Sequence, residues 1–401
     1  MSDRTPYLYK TNDYGNSWLR ITTGIRENDY SWVIREDPVR PGLLYAGTET
    51  GAYVSFDAGD SWQSLQRNLP SAMVMHMLVK DDDLMVGTHG RGFWIMDNIS
   101  SLRAITPEVA SAPVHLFEVA PAIRQRRGGS GWMGSRDEAR NPPRGVMVEY
   151  HLAQAAAGEV ELTFMEANDE IIQQFSSGSD ENPGPTASKG TNRFFWDMRY
   201  PATPMPPAAG ALNGFLSTDY SPPSPPVALP GRYIVRLSVD GQTYEQPFEI
   251  RKDPRVKASD ADLRAQFDLM VDIRDRFSEA AETVMRIREL RTRVEERQAQ
   301  LEEESKLKAD GILKQFRQIE GVLTIWMGSK EHPMMWSPPG LTEKLSSLSS
   351  AVGAADTKPT KSMSAVFEDL SERFEVQRKR LNQVIDEEVG RLLSCSGRER
   401  Q

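Results

Sequence analysis

Apolar and polar residues alternate through most of the first 250 positions, and beyond residue 258 apolar residues recur in steps of three and four, so the pattern predicts strands first and helices last. Strand-like runs occupy residues 7–10, 32–38, 43–48, 51–54, 73–79 and 84–88, with a Pro-Gly turn at Pro41-Gly42 between the second and third. A second group covers residues 146–152, 159–164, 171–175, 192–197, 231–241 and 244–250. In the last third, Leu263, Phe267, Met270, Ile273, Phe277, Ala281, Val284, Ile287 and Val294 make one stripe on a long helix capped by Ser259 or Asp260. Ile312, Phe316, Ile319, Val322 and Leu323 make a second stripe, and shorter helices are expected at 341–352 and 366–393 after a break at Pro333, Pro338 and Pro339.

The strand region contains a repeat. Thr11-Asn12-Asp13-Tyr14-Gly15-Asn16-Ser17-Trp18 returns 44 residues later as Ser55-Phe56-Asp57-Ala58-Gly59-Asp60-Ser61-Trp62. A period of about 40–50 residues with a tight turn at its centre is that of a propeller blade of four short strands. Thr11, Asp13, Gly15 and Trp18, with Ser55, Asp57, Gly59 and Trp62, are therefore expected to be structural. The aspartate accepts hydrogen bonds inside the turn, the glycine takes a positive φ, and the tryptophan buries its ring against the blade. Residues 87–94 echo 47–54, but no third copy of the turn follows.

The expected fold is mainly β with an α-helical C-terminal region. Residues 1–97 read as about two and a half propeller blades, 98–145 as a connector, 146–255 as an immunoglobulin-like sandwich of about seven strands, and 258–394 as a helical bundle or hairpin. The glycine-rich stretch 128–135 and the proline-rich stretch 201–230 read as loops.

A net charge of −9 argues against a nucleic-acid surface, and no apolar run reaches the ~20 residues that span a bilayer. The single cysteine, Cys395, rules out an intrachain disulfide framework. Residues 1–6 lack the apolar core of a signal peptide, so the chain itself carries no indication of its compartment.

The two octapeptides resemble the Asp-box of the bacterial neuraminidase repeat (BNR), found in sialidases, in some propeller glucanases and in sortilin-type receptors. From Tyr7 to about Val389 the chain is similar to the C-terminal portion of large bacterial BNR or sortilin-like proteins labelled glycosyl hydrolases. Three further stretches carry the likeness: Gly87-Thr88-His89-Gly90-Arg91-Gly92-Phe93-Trp94-Ile95-Met96-Asp97, Asn192-Arg193-Phe194-Phe195-Trp196-Asp197-Met198-Arg199-Tyr200-Pro201, and Pro230-Gly231-Arg232-Tyr233 through Asp253-Pro254-Arg255. The resemblance implies a larger, extracytoplasmic propeller with an immunoglobulin-like and helical tail. A closed ring takes at least four blades, so this chain is expected to be the C-terminal part of a longer protein, or else to complete its ring with an upstream propeller chain.

Catalysis by such a propeller needs a set of residues drawn from several blades. A sialidase uses an arginine cluster, a tyrosine with its glutamate and an acid/base aspartate; other glycosidases use two carboxylates about 5–10 Å apart. Asp37, Glu49 and Asp97 are free candidates with nothing to pair them, and His76, His89, His115, His151 and His332 show no metal-ligand spacing. Ser130 lies in no nucleophile or phosphate motif. His89, Arg91, Phe93 and Trp94 form the most site-like group, suited to a sugar or peptide. The expected function is thus a non-catalytic binding or scaffold portion that engages protein, peptide or glycan, with no cofactor and no metal. The alternatives are a glycoside hydrolase component active only with the missing blades, and a degraded gene product without independent function.

Overall fold

The computed structural model describes residues 3–125, 143–179, 184–203, 222–299, 301–324, 339–390 and 392. Three antiparallel sheets come first. The hairpin of β1 (Tyr9–Lys10) and β2 (Leu19–Arg20) is followed by a four-stranded meander of β3 (Ser31–Glu36), β4 (Leu44–Thr48), β5 (Ala52–Ser55) and β6 (Gln63–Ser64). A three-stranded meander of β7 (Val74–Lys80), β8 (Asp83–Thr88) and β9 (Phe93–Met96) completes the set. Period-two alternation gives the four-stranded sheet two apolar faces. Ile34, Ala46 and Tyr53 pack with Leu8, Ile21 and Ile25 of the segment before it. Val33, Tyr45 and Val54 pack with Val74, Met77, Leu84 and Val86 of the sheet after it.

Two short helices follow. Within the stretch expected as a connector, the chain forms α1 (Ser100–Ala104) and α2 (Pro107–Ser111). Pro107 pushes Thr106 into the extended region, and the Thr106 hydroxyl then caps α2 by accepting from the Val109 N–H at 3.3 Å.

Two further sheets enclose one core. β10 (Val114–Leu116), β12 (Val146–Leu152) and β15 (Gly190–Trp196) form an antiparallel sheet. The other runs β11 (Ala122–Arg124), β17 (Gln242–Lys252), β16 (Gly231–Val239), β13 (Val160–Glu166), β14 (Ile171–Ser176), with β11 parallel to β17 and the rest antiparallel. Phe164 stacks on the fully buried Trp196 with ring centroids 4.5 Å apart. Residues 98–145, expected as a connector, therefore supply a strand to each sheet, because Leu116 and Ala122 have this core to enter. The glycine-rich stretch 128–135 and most of the proline-rich stretch 201–230 lie outside the described residues.

The C-terminal region is helical: α3 (Asp260–Gln298), α4 (Glu303–Leu323), α5 (Leu341–Val352) and α6 (Lys361–Val384), closed by a π-helical turn at Ile385–Val389. Ser259 and Asp262 form a reciprocal capping box at the start of α3. The helices share one apolar core, to which Ile312, Phe316 and Ile319 contribute, while Val322 and Val366 face outward. Phe267 leaves the stripe to pack on Tyr200, and Arg124 reaches Asp356 at 2.6 Å, so an aromatic contact and an ion pair join strands to helices. Among the described residues no helix is long and apolar enough to cross a membrane.

Candidate functional site

The two aspartate turns share the same set of bonds to the aspartate carboxylate and to the hydroxyl two residues before it. Asp13 accepts from the Ser17 N–H at 2.8 Å, the Ser17 hydroxyl at 2.6 Å and the Thr11 hydroxyl at 2.8 Å. Asp57 accepts from the Ser61 N–H at 2.9 Å, the Ser61 hydroxyl at 2.5 Å and the Ser55 hydroxyl at 2.7 Å. The N–H groups of Gly15 and Gly59 donate to Thr11 and Ser55 at 2.8 and 2.9 Å. Each turn has two successive residues at positive φ, Tyr14-Gly15 and Ala58-Gly59. Both carboxylates are consumed by their turns and are not available to a substrate.

The Ser17 side chain and N–H, with the Thr11 hydroxyl, hold the Asp13 carboxyl down at about 2. A depressed carboxyl stabilises the turn above its unfolded value, and that contribution is lost as pH falls through the folded pKa. A carbon-detected NMR titration of Asp13 should therefore show its midpoint near 2; a midpoint at the ordinary aspartate value of 3.8 would mean the turn does not hold the carboxylate.

The tryptophans differ. Trp62 is 4% exposed, and its indole N–H donates to the Ile21 carbonyl of the preceding segment at 2.8 Å. Trp18 was expected to be buried in the same way but is 61% exposed. The partner of Trp62 lies 41 residues before it, in the segment ahead of the four-stranded sheet.

The group His89, Arg91, Phe93 and Trp94 is divided by the strand it stands on. His89 and Arg91 sit in the exposed β8–β9 turn, where the Thr88 N–H and hydroxyl both reach the Gly92 carbonyl at 3.1 and 2.7 Å. Phe93 points to one face of β9 and is 93% exposed, while Trp94 points to the other and packs on the core shared with the four-stranded sheet. The Trp94 indole N–H is taken by the Arg91 carbonyl at 2.9 Å.

Trp94 instead lines a hollow of about 260 Å³ with Gln66, Leu69, Met96, Asp97 and Arg193. Arg193 is held there by Glu149 at 2.9 Å and by the Asn98 carbonyl at 3.0 Å, so the second sheet pair supplies one wall. Burial and the neighbouring Asp83 push the Asp97 carboxyl above the ordinary aspartate value. The hollow thus offers an aromatic face, a protonatable carboxyl and a fixed guanidinium, the groups that a sugar or a peptide backbone requires.

The other carboxylates are occupied. Asp37 accepts from the N–H groups of Val39 and Arg40 and from Arg103, and Glu49 accepts from the Trp32 indole at 3.2 Å. Asp29, which the sequence did not single out, is buried and receives Thr48, Thr50 and Tyr53, tying the β4–β5 turn to the preceding loop. His115 and His151 stand opposite each other across β10 and β12, and burial lowers the pKa of both below 6.5. Their pairing depends on strand register and left no mark in sequence spacing. Among the described residues no group of three or more His, Cys, Asp or Glu is placed to hold a metal; His332 lies outside them. A wider cleft of about 770 Å³ between the second sheet pair and the helices is lined by Arg124 and Arg199. These arginines are bound to Asp356 and to the carbonyls of Ala228 and Pro225. No protein-family model matches the chain, and no curated protein matches it.

Proposed function

We propose that the chain is the non-catalytic binding or scaffold portion of a sortilin-like, Asp-box propeller protein with an immunoglobulin-like sandwich and a helical tail. The observation that carries this reading is the pair of turns, matched in their bonds to the aspartate carboxylate and 44 residues apart, on sheets stacked in sequence. Its ligand is a protein, peptide or glycan, and the hollow beside Trp94 and Asp97 is the place for a sugar or a short peptide segment. A second reading, a glycoside hydrolase component that needs further blades, is favoured by one observation: burial, and after it the charge of Asp83, raises the Asp97 pKa in the hollow.

One experiment separates them. The full chain is offered aryl sialosides and aryl β-glucosides, and in parallel is probed on glycan and peptide arrays. The expected result is no turnover, together with array binding that weakens at least ~10-fold in Asp97→Asn, about 1.4 kcal/mol of lost contact. Turnover that falls ~100-fold in the same variant would replace the first reading with the second. Binding indifferent to Asp97 would remove the hollow from the proposal.

A further inference from the structure

Three polar side chains that the fold takes inside meet at one cleft. Arg124 ends β11, Gln266 lies near the start of α3 and Ser349 near the end of α5; all three are buried, and all line the cleft of about 770 Å³ between the second sheet pair and the helices. Buried polar groups are ordinarily filled by protein partners. Here each of the three keeps a group unfilled.

The Arg124 Nε–H donates to the Ala228 carbonyl at 3.0 Å and Nη1 donates to Asp356 at 2.6 Å. That leaves Nη2 and the other N–H of Nη1 with no protein partner among the described residues. Gln266 spends its amide nitrogen on the carbonyls of Val352 and Ala355, and among the described residues no protein donor reaches its Oε1. On the same helix as Ser349, the Ser347 hydroxyl donates to the Glu343 carbonyl one turn back at 2.9 Å, as helical serines commonly do. The buried Ser349 hydroxyl makes no such bond and has no partner among the described residues.

Unfilled guanidinium donors beside an unfilled amide acceptor suit a ligand that carries both an oxyanion and hydroxyl groups. The charge of the cleft points the same way. Arg124, Arg144 and Arg199 line it against Asp197 and Asp356, an excess of one positive charge, which a single carboxylate cancels. The planar fork of a guanidinium also matches the two oxygens of a carboxylate. We propose that this cleft, separate from the hollow beside Trp94, binds a small carboxylate that also bears hydroxyls, a sugar acid being the simplest example. Arg124 takes the carboxylate, and Gln266 Oε1 accepts from a ligand hydroxyl. The Ser349 hydroxyl, which turns about χ1 between staggered positions, bonds another.

The test is NMR on the full isotope-labelled chain at fixed ionic strength, reading the Arg124 Nε–H and Ser349 amide signals. Sodium glucuronate is expected to shift both saturably. Glucose, which lacks the carboxylate, and acetate, which lacks the hydroxyls, should each bind at least ~10-fold more weakly. Arg124→Lys keeps the charge but loses the fork, and should weaken glucuronate binding at least ~10-fold, read at Ser349. Because that change also touches the tie to Asp356, Ser349→Ala is the second variant. Loss of an unpartnered buried hydroxyl should leave the thermal melting of the ligand-free helices unchanged or raise it, yet weaken glucuronate at least ~3-fold. Glucuronate that shifts neither signal would overturn the proposal. So would glucose or acetate binding as tightly as glucuronate, or a Ser349→Ala variant that binds with wild-type affinity. Inorganic phosphate binding more tightly than glucuronate would overturn it as well, since a dianion exceeds the charge the cleft can cancel.

Discussion

Trp62→Ala is expected to destabilise the first three sheets by about 3–5 kcal/mol, and Trp18→Ala by less than about 1 kcal/mol. The two residues occupy the same place in the same octapeptide, so sequence alone predicts equal effects. Trp62 is buried among Leu8, Ile21, Ile25, Ala46 and Tyr53, and its N–H satisfies the Ile21 carbonyl. Its removal opens a cavity and strands that carbonyl. Among the described residues Trp18 has neither the burial nor the bond. Because the chain has more than one core, the measurement is hydrogen exchange at the amides of β3–β5, the sheet whose inner face Trp62 covers, compared between the two variants. Equal losses for the two variants would mean that Trp18 is sealed after all.

Features that depend on a few neighbouring residues were legible in the sequence. An aspartate turn closes through groups no more than four positions apart, so Ser17 and Asp13, or Ser61 and Asp57, could be read together. Strand faces were legible for the same reason, since alternation sorts Ile34, Ala46 and Tyr53 from Val33, Tyr45 and Val54 without knowledge of the fold. The same alternation divides Phe93-Trp94, where adjacency in sequence places two aromatics on opposite faces. Steps of three and four also admit a neighbouring stripe on a helix. Val322 fits the spacing but faces outward, and Glu320, which fits no apolar pattern, is buried between Arg288 and Arg291 at 2.7 and 2.9 Å. Ties between distant segments left no trace at all: Asp29 to Tyr53, His115 beside His151 and Arg193 beside Asp97 each require the folded chain. The candidate hollow is of this last kind. Trp94 and Asp97 were visible separately, and the Arg193 that completes their wall comes from the second sheet pair.

One such distant tie should have an effect as large as that of Trp62. Arg103 on α1 donates to both carboxylate oxygens of Asp37 at 3.0 Å and to the Asp81 carbonyl at 2.9 Å, and it pairs with Asp82. The Asp37 side chain is fully buried beside Tyr45, whereas Asp82 is exposed and its pairing contributes little. Arg103→Ala therefore leaves a buried carboxylate without its cation, and a loss of about 3–5 kcal/mol is expected at neutral pH. Burial raises the Asp37 pKa, but the Arg40 and Val39 N–H groups and the Arg103 guanidinium outweigh it, and the carboxyl stays below the ordinary value. The stability this provides is present above the unfolded pKa and is lost as pH falls through the folded one. In the variant, burial acts without the guanidinium, the Asp37 pKa rises, and protonation relieves the unpaired charge. The gap between wild type and variant should therefore narrow as pH is lowered toward 4 and below, followed by hydrogen exchange at β3 and β4. A gap that stays constant with pH would show that Arg103 acts through packing alone, and a gap below about 1 kcal/mol at neutral pH would show that the two backbone N–H groups suffice to hold the carboxylate.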